Sequence, residues 1–191
     1  MGLAVVLSVR VALLIGLALA GAASAEPPVP YPRNYKAAFV KYAVVDRADG
    51  MSRDLFVSPD AVDALKRNPG LTELPVGVVF AIDVYSARAA GRDFERTPQG
   101  RLARSKDERT LHLMRRITPG FGSQHWVFGG FDPATAEPLK LELPGDCLRC
   151  HQEALVSDMT FSLKLLKRFV ASGEVQYRFC PNPGRQSCPL Q

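Results

Sequence analysis

An α+β fold, mainly antiparallel β-sheet with flanking helices, is what the sequence predicts, and three observations predict it. Apolar side chains alternate along 74–87 and 110–117, which is the period of a strand, and QHWVFGGF at 124–131 reads as a third. Ser58 and Pro59 ahead of DAVDALKRN give the N-cap and first-turn pair of a helix. The pentad CLRCH at 147–151 follows the strands and precedes a second helical pattern, which puts it on a short helix near the C-terminus.

Taken in order, EPPVPYP at 26–32 is an extended leader, and Asn34 is a cap for a helix through YKAAFVKYAVV, with Ala38, Phe39, Tyr42 and Ala43 near one face. Leu55 to Val57 reads as a short strand, and the helix that follows it is ended by Pro69 and Gly70. In LPVGVVFAIDVYSA, Val76, Val78, Phe80, Ile82 and Val84 point one way, and Val79, Ala81, Asp83 and Tyr85 the other. A strand so apolar on both faces is central, covered on one side by helix and on the other by a cofactor. The charged stretch from Ala87 to Arg109 is expected as a long connection. Thr110 to Ile117 and QHWVFGGF at 124–131 make an antiparallel pair around a turn at Pro119 to Ser123. After the linker PLKLELPGD and CLRCH, a helix is expected from about Asp158 to Val170.

The start of the chain, Arg10, then VALLIGLALAGAA and ASA, has the charged, apolar and small-residue segments of a secretory signal. Cleavage after Ala25 leaves 26–191 as one domain, and the apolar run is shorter than a membrane span needs. The expected location is the periplasm. The formal net charge is +5, but acidic and basic residues interleave, as in RSKDERT at 104–110, so no basic face for nucleic acid is expected. Of the four cysteines, Cys180 and Cys188 bracket the loop PNPGRQS and are expected to form a disulfide.

Cys147, Cys150 and His151 are the remaining constellation. Two thiols three apart, with histidine next, are what covalent haem attachment requires: the thiols add to the vinyl groups and the histidine binds iron. The secretory signal agrees, because such attachment in bacteria is completed outside the cytoplasm. A thioredoxin-like pair is expected earlier in a parallel fold, and a zinc site would need two further ligands from His112, His125 or the Cys180–Cys188 pair. GFGSQH lacks a third glycine, no phosphate loop is present, and three histidines leave little for a hydrolase, so any chemistry falls to one haem c.

The segments YPRNYKAAFVKYAVVDR (31–47), LFVSPDAVDAL (55–65), LPVGVVFAIDVYSA (74–87) and HWVFGGFD (125–132), with CLRCH, Asp158 and Phe161, together resemble the cytochrome P-460 family, which includes the cytochromes c′-beta. The resemblance spans most of the mature chain. It implies a homodimer with one c-type haem, Cys147 and Cys150 as thioether attachments, His151 as the proximal ligand, and a vacant or exchangeable opposite face. Hydroxylamine-oxidising members join a lysine to the haem ring, whereas c′-beta members have an apolar, phenylalanine-lined face for small gases. Between Lys66 and Lys140 the only lysine is Lys106, in RSKDERT, where a solvated side chain is the simpler reading.

Phe56, Phe80 and Tyr85 are the candidate pocket walls, and Asp83 a candidate proton acceptor. Met114, Met159, His112 and His125 are the candidate sixth ligands, though packing is the ordinary role of such residues. The expected function is that of an exported mono-haem cytochrome binding or converting small nitrogen ligands such as nitric oxide, served by a redox partner protein. As an enzyme it would be a haem-dependent oxidoreductase acting on nitric oxide or hydroxylamine. The alternatives are a six-coordinate electron carrier and a lysine-linked hydroxylamine oxidase.

Overall fold

The computed structural model describes residues 29–139, 148, 150–182 and 188. The expected secretory leader over 1–25 and the expected haem-attachment residue Cys147 lie outside them.

Six strands form one sheet in the order β7-β6-β3-β2-β1-β8. They are β1 (Val40–Arg47), β2 (Met51–Val57), β3 (Val79–Ala87), β6 (Arg104–Arg116), β7 (Trp126–Phe131) and β8 (Gln176–Cys180). Every pairing is antiparallel except β1 with β8, so the fold is α+β with a mainly antiparallel sheet. The helices are α1 (Tyr35–Ala38), α2 (Pro59–Arg67) and α3 (Leu163–Ser172).

The long helix expected from Asn34 is only the four residues of α1, after which the chain enters β1. The sequence AAFVKYAVV satisfies helical spacing, yet its β-branched and aromatic residues also suit a pleated surface, and neighbours on both edges decide the outcome. Ala43, Val44 and Val45 pair with Leu55, Asp54 and Arg53 on one side and with Gln176, Tyr177 and Arg178 on the other. Gly50 turns the chain between β1 and β2 at φ +78, where a Cβ would run into the Phe94 ring.

The expected connection over 87–109 is mostly structured. It holds the small hairpin of β4 (Ala89–Ala90) and β5 (Asp93–Phe94), then the first residues of β6. Ser58 does precede α2, but its hydroxyl accepts a hydrogen bond from Val79 N (3.1 Å), tying α2 to β3 rather than capping the helix. The second helix starts at Leu163, not Asp158, because Asp158 and Met159 have left-handed backbone with φ 53 and 60.

The sheet has two covered faces. On the front, Leu55, Val57, Phe80 and Met114 pack with Ala61 and Leu65 of α2 and Leu163 and Leu166 of α3. On the back, Phe56, Ala81, Leu111, Leu113 and Phe131 pack with Val29 and Tyr35 from the N-terminal segment. A disulfide joins Cys180 to Cys188, and Arg47 of β1 holds that region by donating to Asn182 O (2.8 Å).

Candidate functional site

Cys150 and His151 have helical backbone, and the His151 side chain reaches the front face at the β7 edge. Its ring lies 4.8 Å from that of Phe128 and 5.3 Å from that of Phe161, centroid to centroid. The left-handed pair Asp158–Met159 reverses the chain so that Met159 O accepts a hydrogen bond from His151 Nδ1 (2.6 Å). That bond sets the tautomer, leaving Nε2 with a lone pair for a metal. Burial pushes the imidazole below its ordinary pKa, the Met159 carbonyl works against that, and the charge of Arg53 reinforces it.

Asp158 anchors the turn. Its carboxylate is fully buried and accepts from Arg116 Nη1, from Leu74 N (3.1 Å) and from Trp126 Nε1 (3.3 Å). Arg116, also fully buried, donates further to Glu73 (2.7 Å) and Gly120 O (2.6 Å). This network links β6, β7 and the segment before α3, and it holds the carbonyl that orients His151.

The cross-strand register shows what shares the front face with His151. One row runs Leu55, Ile82, His112, Gly130, and the next runs Arg53, Val84, Thr110. His112 Nε2 is 2.9 Å from Thr110 Oγ1. The His112 pKa is pushed down to about 4, by burial first and then by the charges of Arg53 and His151. The ring is nevertheless open to solvent.

The sheet stands between His151 and two of the expected pocket residues. Phe56 is on the back face, its ring 5.6 Å from that of Tyr35, and Tyr85 is there too, beneath the guanidinium of Arg104 at 4.3 Å. Phe80 is on the front, but in the core between Tyr42 and Trp126. Asp83 is buried on the back, bonded to Tyr35 Oη and 3.5 Å from Lys36 Nζ. Strand alternation alone separates Phe80 from Tyr85. Arg53 was not singled out from the sequence, although an arginine in phase with Leu55 and Val57 was the signal that could have found it.

These residues fit a covalently held haem. Cys150 and His151 share a turn, Nε2 is the available histidine nitrogen, and the adjoining wall is the broad strip of Ile82, Val84, Thr110 and His112. Arg53 Nε, buried on this face, has no hydrogen-bond partner among the described residues. A zinc hook fits poorly, since Cys180 and Cys188 are bonded to each other, and no group of three metal-ligating side chains gathers among the described residues. Among those residues no helix is long and apolar enough to cross a membrane. A family model described as Cytochrome P460 matches residues 32–162. No curated protein matches the chain.

Proposed function

The chain belongs to the cytochrome P460 family of haem-binding cytochromes that act on nitrogen compounds, and from that premise we propose that it is an exported mono-haem protein whose iron keeps one face open for small nitrogen ligands such as nitric oxide. Its cofactor is one covalently bound haem c. In this reading Cys147 and Cys150 carry the thioethers and His151 is the axial ligand, with 1–25 removed as a leader and 26–191 forming the haem domain. A periplasmic location, a homodimer and a partner protein that exchanges electrons with it complete the proposal. The haem supplies an iron that changes oxidation state by one electron and binds small ligands.

The chain's own residues orient and enclose that site. Met159 O fixes the His151 ring, and Phe128 and Phe161 flank it. What supports an open face is that the candidate sixth ligands make contacts elsewhere, His112 through one of its two nitrogens only. His112 Nε2 is held by Thr110, while His125 bonds Thr118 through Nδ1 (2.8 Å) and Gln124 through Nε2 (2.9 Å). Met114 and Met159 are buried in the core.

Absorption spectra of the haem-loaded protein, ferric and reduced, test the reading. A broad high-spin reduced spectrum that shifts promptly with nitric oxide is expected. Sharp low-spin bands indifferent to nitric oxide would overturn it in favour of an electron carrier. Lys106 is exposed in the part of β6 where its register with β3 shifts. The Lys106→Ala protein is therefore expected to keep the wild-type spectrum. Loss of a strongly red-shifted reduced Soret band in that variant would instead identify a lysine link.

A further inference from the structure

We propose that the Cys180–Cys188 bond, which Arg47 touches with one guanidinium nitrogen, is a site of reversible thiol–disulfide exchange with a dithiol reductant rather than an inert staple. The inference goes beyond the haem reading above and does not depend on which ligand the iron takes.

The contacts of Arg47 are the first ground. This buried side chain faces Asp49 Oδ2 through Nε at 3.3 Å and donates through Nη2 to Asn182 O at 2.8 Å. Nη1 is directed at sulfur, 3.3 Å from Cys188 Sγ and 3.6 Å from Cys180 Sγ. Sulfur in a disulfide is a weak acceptor, so this nitrogen gains little while the bond is closed. A thiolate carries a full negative charge, so the same nitrogen gains much more once the bond is open. The guanidinium therefore favours the reduced pair. Asp49 offsets part of its charge, but that carboxylate is 22% exposed and the guanidinium side chain 3%, so water screens the offset more than the cation.

Strand register and access are the second ground. Arg47 and Cys180 are cross-strand partners in the parallel pairing of β1 with β8, so the sheet holds them together whether or not the disulfide is closed. Cys180 is fully buried and Cys188 half-buried, so an incoming thiolate meets Cys188. As the reductant's sulfur bonds to Cys188 Sγ, the Cys180–Cys188 bond breaks and its electron pair leaves on Cys180 Sγ, beside Nη1. A thiol held as thiolate is the better leaving group. The reductant's second thiol then gives its proton to water and attacks its own sulfur in the mixed disulfide. The pair from that bond leaves on Cys188 Sγ, which takes up a proton. The dithiol ends as a cyclic disulfide two electrons poorer, and the protein as a Cys180 thiolate and a Cys188 thiol.

The test equilibrates wild-type and Arg47→Met holo-proteins with mixtures of reduced and oxidised dithiothreitol at neutral pH. The exchange is quenched with acid, the thiols are alkylated in denaturant, and the label is counted by mass on the peptides carrying Cys180 and Cys188. Cys147 and Cys150 do not enter that count, so the result stands apart from haem attachment. Wild type is expected to be reduced while its circular dichroism remains that of the folded protein. Arg47→Met should need at least about a fivefold higher ratio of reduced to oxidised dithiothreitol to reach half reduction. Arg47→Lys, which keeps the charge but not the planar fork, should fall between. An Arg47→Met protein that is reduced as easily as wild type overturns the proposal. One reduced more easily overturns it as well, because that is the direction in which loss of packing alone would move it. A wild-type disulfide that opens only when the sheet has melted also overturns it.

Discussion

Replacing His151 with glycine is expected to abolish the ordinary ferric and reduced spectra, lower the yield of haem-bearing protein at least about tenfold, and leave a protein whose spectrum added imidazole restores. The size of the effect follows from how completely the ring is fixed. Nδ1 is tied to Met159 O at 2.6 Å and the ring packs against Phe128 and Phe161, so Nε2 has one direction to point. Glycine leaves a slot of imidazole shape with its hydrogen-bond acceptor still in place. Free imidazole can fill that slot, which a merely damaged fold would not allow. A wild-type spectrum from His151→Gly would remove His151 as the axial ligand. A lost spectrum without imidazole rescue would show that the slot does not survive the substitution.

Asp158→Ala is expected to be the most destabilising single change, on the order of 3–5 kcal/mol. The substitution takes one of two carboxylates from the buried Arg116 guanidinium, whose Nε already lacks a partner and which keeps only Glu73 and Gly120 O, and it also orphans Leu74 N and Trp126 Nε1. For a chain of this size that corresponds to a fall in thermal midpoint of roughly 10 °C, read by circular dichroism on the holo-protein. Asp158→Asn keeps an acceptor of the same shape and should lose less. If Asp158→Ala melts with wild type, Arg116 finds another anion and the turn that holds His151 is not anchored by this pair.

The elements legible in the sequence were those whose pattern admits one reading. β3 alternates without interruption, α2 has its proline at the first turn, and β6 and β7 flank a glycine-rich turn. β1 was not legible, because AAFVKYAVV fits helix and strand alike until its two neighbours are known. β8 was missed for a related reason. Its five residues are mostly accessible, and its partner is a strand from the other end of the fold, reached by no turn signal.

The site divides in the same way. Cys147, Cys150 and His151 follow from spacing alone, whereas the Met159 carbonyl that orients His151 depends on two left-handed residues of ordinary type, which nothing local announces. Phe56 and Tyr85 drew attention as aromatic residues, but pocket membership depends on strand phase as well as residue type. The same phase places Arg53 and His112 on one wall, and only the register between β2, β3 and β6 brings them together.

The parallel docking of β8 on β1 also sets an order of events. β1 is synthesised early, and β2 protects only one of its edges, so the other offers open backbone groups until β8 has been made. The CLRCH segment precedes β8 in the chain, so a nascent molecule presents its cysteines and histidine while the sheet is still one strand short. Until β8 pairs with β1, the unfinished edge is exposed to pairing with another chain.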